Sequence, residues 1–262
     1  LTDYRGWWNG VAMIDANNDG RLDIVATNWG RNSFYETLLR EEGGESRLAL
    51  FVGDVDGNGT VEQLEAVRVG DRWLPVRDRH ALEKGLPDLR SRFPVHAAMV
   101  KAGIEGIAGP AFERLKKMEV NHLGTTLFIN HGDRFEPVPL PMEVQLAPAF
   151  SVCVGDVDAD GNDDLFFSQN FFAVRPEDPR NDAGTGLWLL GHGDGTFRAL
   201  KPSESGVRVY GEQRGAALAD FDRDGRVDLV VTQNAAATRL FRNQAETKGV
   251  RVSFGGEGEG VQ

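Results

Sequence analysis

The stretch Asp220–Asp228 reads DFDRDGRVD, with oxygen-bearing side chains at its first, third, fifth and ninth positions. Asp220, Asp222 and Asp224 alternate with residues that turn away. Gly225 permits a sharp bend, Arg226 offers a backbone carbonyl at the seventh position, and Asp228 closes the set. Ca2+ takes six to eight oxygens at roughly 2.3–2.6 Å in a tolerant geometry, and a loop of this design supplies most of them.

The pattern recurs three more times, which makes it a repeat. Asp15, Asn17, Asp19, the Arg21 carbonyl and Asp23 form the first copy; Asp54, Asp56, Asn58, Thr60 and Glu62 form the second. Asp156, Asp158, Asp160, Asn162 and Asp164 form the third, so the chain is expected to hold up to four Ca2+ ions. Apolar runs bracket every copy, for example Val152–Val154 before and Leu165–Phe167 after the third, so the loops are expected to join strands. The competing design is the EF-hand, which needs a helix on either side and a Glu at the twelfth position. Only the second copy has that residue, Glu65, and its flanks alternate as strands do through Val67 and Val69.

A strand, a D-x-D-x-D-G-x-x-D loop and a second strand resemble the FG-GAP or VCBS repeat, the unit of integrin-α-like β-propellers. Gly6-Trp7-Trp8, the DVDGNGTVE loop at Asp54, LPDLRSRFP at Leu86–Pro94 and GLWLLGHGDGTF at Gly186–Phe197 are similar to bacterial VCBS-repeat proteins of the ASPIC/UnbV type. The resemblance covers nearly the whole chain and implies an all-β propeller, with residues 246–262 as the truncated start of a C-terminal ASPIC/UnbV-like module. Loop starts lie 39, 102 and 64 residues apart. A blade of four short strands needs roughly 40–50 residues, so residues 1–245 are expected to form a partial or small propeller of about four to five blades.

The β signal lapses between Asp78 and Met118. Asp78 reads as a cap, Gly85 as a stop, and Pro87 and Pro94 sit where first helical turns place them, while Phe112, Leu115 and Lys116 continue a helical spacing. A helical insertion over residues 78–120 is therefore expected. Asn32–Leu39 reads as a third strand or a short helix, and Thr125–Asn130, Phe135–Leu140, the arms around Gly191–Gly195 and Thr238–Arg242 read as further strands. Arg77, Arg79, Arg90, Arg92, Arg114, Lys116 and Lys117 make the insertion the most basic part of the chain, read as a solvated face.

The formal net charge of −11 disfavours nucleic acid and anionic membrane surfaces as partners. The loops hold fourteen of the carboxylates, and four Ca2+ would bring the total to −3, so the acidity is read as a metal requirement. No apolar run reaches the ~18 residues of a membrane span. Cys153 is the single cysteine and reads as a packed core thiol, so no internal disulfide forms. Loops of modest affinity stay filled only where calcium is abundant, which points to an extracellular, cell-surface or periplasmic setting. The abrupt opening at Leu1-Thr2-Asp3-Tyr4 reads as an excised piece, so a missing leader carries no weight.

A catalytic constellation is not evident. His80, His96, His122, His131 and His192 show no metal-ligand spacing, and neither a nucleophile elbow, a P-loop nor a dinucleotide fingerprint occurs. Asp163 beside Asp164 suggests a carboxylate pair, but Asp164 is claimed by the third loop. Trp29, Trp73 and Trp188 read as core, and adjacent Trp7 and Trp8 as facing opposite ways. The expectation is a calcium-stabilised, non-catalytic scaffold for an extracellular protein or carbohydrate ligand. A sugar-active lyase or dehydratase module is the alternative, needing a cleft with clustered His, Tyr and Arg. A purely structural repeat of a larger surface protein is the third reading.

Overall fold

The computed structural model describes residues 1–39 and 47–247. Along the chain lie β1 (Gly10–Ile14), β2 (Asp23–Thr27), α1 (Phe34–Leu39), β3 (Leu48–Gly53), β4 (Glu62–Val69), β5 (Arg72–Pro75), α2 (Arg79–Glu83), α3 (Leu89–Arg92), α4 (His96–Ala108) and β6 (Lys116–Val120). There follow β7 (Thr126–Asn130), β8 (Phe135–Pro139), β9 (Ala149–Gly155), β10 (Asp164–Gln169), β11 (Leu187–Gly191), β12 (Phe197–Ala199), α5 (Pro202–Ser205), β13 (Gln213–Ala219), β14 (Asp228–Gln233) and β15 (Ala236–Phe241). The fold is mostly β, with four antiparallel sheets, and no closed propeller is present among the described residues. The apolar runs beside the acidic loops are the strands expected of them.

The chain divides into two compact units, Leu1–Trp7 with Arg31–Leu123, and Trp8–Gly30 with the chain from Gly124 onward. In chain order, residues 31–123 of the first unit fall between β2 and β7, which pair with each other through Ile24–Phe128 and Ala26–Thr126. The second acidic loop lies inside it, so the 39-residue spacing from the first loop is not a sheet-to-sheet spacing. Asp15 and Asp156 are 141 positions apart; taking out the 93 residues 31–123 leaves 48. That is the roughly 40–50 residues one four-stranded repeat requires.

The inserted unit carries a sheet in the order β5-β4-β3-β6. Ala49, Phe51, Leu64 and Ala66 from the sheet and Leu86, Leu89, Met99, Ile104 and Ile107 from the helices form its core. Asp78 caps α2 by accepting from Ala81 N at 2.7 Å, as its position before the helix leads one to expect. Gly103 breaks the regularity of α4 at φ 68°, where a Cβ would meet the Trp73 carbonyl at 2.9 Å. One expectation is overturned: Lys116 continues no helix, because Lys116–Val120 is strand β6, paired with β3 from Leu48–Val120 to Val52–Lys116. It is an edge strand whose two lysines face solvent, which hides the β pattern. Asn32–Leu39 resolves to the helix α1.

The second unit holds three sheets, ordered β1-β2-β7-β8, β12-β11-β10-β9 and β13-β14-β15. Strands β1 and β13 both lie against β9. The middle sheet is covered on both faces, so every residue of β10 is buried. Leu165 and Phe167 enter a core with Ile14, Val25, Leu127 and Ile129, whereas Phe166 points the other way, among Trp188, Val207, Leu229 and Val231. Alternation along a strand sends neighbours to opposite faces, and each buried Phe contributes about 2–3 kcal/mol. Cys153 is half-buried beside the second of these cores, and burial pushes its thiol up.

Candidate metal centre

Each acidic loop closes a two-strand connection, and the residue before the loop pairs with its ninth residue: Ile14–Asp23, Gly53–Glu62, Gly155–Asp164 and Ala219–Asp228. The EF-hand reading of the second loop therefore fails, because β3 and β4 flank it. Glu65 lies on β4 and faces Arg77 at 2.5 Å, so its charge is already engaged.

Within the loops the same backbone amides meet the same side chains. One oxygen of the first carboxylate accepts from the fifth residue's N–H, at 3.0–3.1 Å from Asp19, Asn58, Asp160 and Asp224. Its other oxygen accepts from the sixth-position glycine, at 2.9 Å from Gly20, Gly59 and Gly161 and 3.1 Å from Gly225. The third and fifth side chains each accept from the amide two residues on, as Asp158 does from Asp160 at 3.2 Å and Asp160 from Asn162 at 2.8 Å. The frame needs left-handed backbone twice. The sixth-position glycines have φ of 79–91°, but Asn18, Gly57, Ala159 and Arg223 at the fourth position also lie at 56–77°. The second requirement is invisible in sequence, since three of the four residues are not glycine.

The ninth side chain does more than close a cage. One oxygen of Asp23, Glu62, Asp164 and Asp228 accepts from the second residue's N–H, at 3.0, 2.8, 2.8 and 3.0 Å respectively. In the second unit the other oxygen reaches a third strand's end, accepting from Asn130 at 2.7 Å, Gly191 at 2.9 Å and Asn243 at 2.9 Å. Asp23, Asp164 and Asp228 are buried accordingly. Lone pairs remain on each of these carboxylates, so a clasp can also be a ligand.

In three loops the first, third and ninth carboxylates converge: oxygens of Asp54, Asp56 and Glu62, of Asp156, Asp158 and Asp164, and of Asp220, Asp222 and Asp228 lie within 4.8 Å of one another. These three acidic clusters could hold a metal ion. In the first loop Asn17 places an amide where the others have a carboxylate. In the third and fourth loops the fifth carboxylate, Asp160 or Asp224, stands outside the cluster, and in every loop the fifth side chain faces the seventh residue. Arg21 holds Asp19 at 2.5 Å, Arg226 holds Asp224, and Asn162 donates to Asp160 at 3.1 Å. Arg21 and Arg226 thus act through their guanidinium groups as well as offering the expected carbonyls.

The donor set fits a hard cation: all oxygen, three carboxylates, no thiolate or imidazole. The electrostatics agree. Burial first, then the charges of Asp160 and Asp156, hold the Asp158 carboxyl above the usual range. Burial pushes Asp164 up to about 6, reinforced by Asp158 and Asp156 and opposed by the Val157 and Gly191 amides. A bound cation relieves this crowding of like charge. In the first loop the Arg21 amide instead draws Asp19 below the usual range.

The residues considered for other chemistry are scattered. The five histidines lie on α2, α4, the segment after β6 and the turns at His131 and His192. Tyr4 stacks edge-on with His122, Tyr35 sits against Trp7, and Tyr210 is exposed. Trp7 and Trp8 do face apart, the latter toward Phe128. Among the basic residues of the insertion, Arg90, Arg114, Lys116 and Lys117 are exposed, while Arg79 donates to the Phe93 carbonyl at 2.8 Å and Arg92 to the Gly106 and Ile107 carbonyls at 2.7 and 3.0 Å. A groove of about 740 Å3 runs beside the third loop, lined by Asp158, Trp188, Leu200, Glu204, Leu240 and Phe241 among others. No helix among the described residues is long and apolar enough to cross a membrane. The ASPIC/UnbV-like module expected over residues 246–262 falls almost wholly outside the described residues.

Part of the chain is similar to known proteins. Cartilage acidic protein 1 of Xenopus tropicalis is 42% identical over 74 residues, 28% of this chain and 11% of its own length. The chain therefore matches about a tenth of that relative. The family model for the FG-GAP-like repeat matches residues 171–231, which run from the end of β10 through β11, β12 and β13 and across the fourth acidic loop into β14. The matched unit spans β11 and β12 of one sheet and β13 and the start of β14 of the next, the last two joined by the fourth acidic loop, and in this segment the chain carries an FG-GAP-like repeat.

Proposed function

We propose that the protein binds Ca2+ through its acidic loops and is a non-catalytic β-propeller scaffold, open rather than ringed, that presents a binding surface outside the cell. The observation that carries this reading is the shared loop frame, in which three carboxylates converge three times over on strand connections. The second, third and fourth loops are the stronger sites. The first is weaker, because the Asn17 amide replaces the carboxylate that the other three loops carry at the third position. The ions are structural: they neutralise crowded carboxylates that already clasp neighbouring strands, so their binding free energy adds to folding free energy.

The FG-GAP-like match and the stretch shared with a cartilage protein support an extracellular setting, where calcium is plentiful. The groove of about 740 Å3 beside the third loop favours a ligand-bearing scaffold, for protein or glycan, over a purely structural repeat. Calorimetric titration of metal-stripped protein tests the metal assignment. Saturable Ca2+ binding that Mg2+ does not reproduce, lost loop by loop in Asp56→Asn, Asp158→Asn and Asp222→Asn, is the expected result. Equal responses to both ions, or none, would overturn it.

A further inference from the structure

The loops of the second unit are wired to one another. Asn243, just past β15, is a double fastener. Its backbone N–H donates to Asp228 of the fourth loop at 2.9 Å, while its side-chain Nδ2 donates to the Val157 carbonyl of the third loop at 2.7 Å. Val157 in turn gives its own N–H to Asp164, the third loop's buried ninth residue, at 2.8 Å. Three hydrogen bonds, bridged by the covalent frames of Val157 and Asn243, therefore join the Asp164 carboxylate to the Asp228 carboxylate. A comparable link ties the first loop to the third. Asn18 Nδ2 donates to Asn162 Oδ1 at 2.9 Å, and beside it Gly195, in the turn between β11 and β12, donates its N–H to the Ala16 carbonyl at 2.8 Å. Gly193 leaves room for it, since a Cβ there would stand 2.3 Å from Asn162 Oδ1 and 2.4 Å from Asn18 Nδ2.

We propose that Asn243 is a positioning residue that couples metal binding at the third and fourth loops, an inference resting on the Ca2+ reading above. An ion held by Asp156, Asp158 and Asp164 fixes the backbone of Val157 on both sides of its Cα. The ordered Val157 carbonyl holds Asn243, and Asn243 sets the Asp228 carboxylate before the fourth loop takes its own ion. The second ion then has less ordering to do, and the coupling is positive and reciprocal.

Asn243→Ala removes the fastener to Val157 yet leaves the amide that serves Asp228, so both loops keep their ligands. Ca2+ titration of the full chain, followed through the NMR amide signals of Gly59, Gly161 and Gly225, reads the second, third and fourth loops separately. Disabling the fourth loop with Asp222→Asn is expected to weaken Ca2+ at Gly161 by about tenfold, within the usual range of coupling between sites, and to leave Gly59 unmoved. In the Asn243→Ala background the same Asp222→Asn change should leave Gly161 unmoved. Asn243→Ser, too short to reach the Val157 carbonyl, must behave the same way should the alanine variant fail to fold. An unchanged Gly161 affinity on disabling the fourth loop in the otherwise native chain overturns the coupling while the metal reading stands. So does an undiminished effect in the Asn243 variants. The absence of any Ca2+ response in the native chain overturns both.

Discussion

Asp228→Ala and Asp222→Ala separate the clasp from the ligand in one loop. Asp228 is 2% exposed and accepts from Phe221 N at 3.0 Å and Asn243 N at 2.9 Å. Truncating it strands two part-buried amides, each at about 1–3 kcal/mol, for roughly 4 kcal/mol in all. Asp222 accepts one long bond from Asp224 N at 3.3 Å and faces Arg242 at 3.5 Å on the surface. An exposed pair of this kind is worth about 0–1 kcal/mol. In excess EGTA, Asp228→Ala should therefore lower the melting midpoint of the second unit by about 10 °C, at roughly 2–4 °C per kcal/mol for a unit of this size. Asp222→Ala should move it by no more than about 2 °C. Added Ca2+ should raise the native midpoint, and both variants should lose the part of that rise due to the fourth loop. Circular dichroism melts at matched ionic strength read all of this. Equal loss from the two variants in EGTA would refute the clasp, and a full calcium response in Asp222→Ala would refute its place as ligand.

Three further outcomes are expected. Ala159 sits at φ 60°, a conformation that costs a non-glycine residue about 1–2 kcal/mol, so Ala159→Gly should raise stability by about 1 kcal/mol in a denaturant titration. Asp164 is pushed up to about 6, above its unfolded value, so the metal-free fold binds more protons than the unfolded chain. Its contribution is present at low pH and lost as pH rises from about 4 through about 6; the calcium-dependent rise in melting temperature should grow across the same window, which melts at pH 5 and pH 7.5 with and without Ca2+ would show. Arg92→Ala removes donors to the Gly106 and Ile107 carbonyls near the end of α4 and should destabilise the inserted unit by about 2 kcal/mol, with unchanged Ca2+ affinity in the third and fourth loops by titration.

The loops themselves were legible because chelation and tight turns demand particular residue types at fixed spacing, and Asp, Asn and Gly are seen directly in the sequence. The strands beside them were legible from apolar runs. What the sequence hid were relations between distant residues. Nothing in DIVAT at Asp23–Thr27 says that its second partner is Thr126–Asn130, across 93 inserted residues. Strand β6, KKMEV, reads as helix because an edge strand keeps its lysines in water. The fourth-position turn escaped because Ala159 and Arg223 adopt a backbone that their type disfavours, held there by the hydrogen-bonded frame around them. Arg21 and Arg226 were read for their carbonyls alone, since a ligand pattern does not reveal that a guanidinium folds back onto the carboxylate two residues earlier.

The most direct measurement is equilibrium Ca2+ binding to metal-stripped protein, with the melting temperature recorded at each step. Saturation at three stronger sites and one weaker one, with stability rising as they fill, is the predicted result. A protein that takes up no Ca2+ at millimolar concentration, and melts at the same temperature with and without it, would contradict the account at its root.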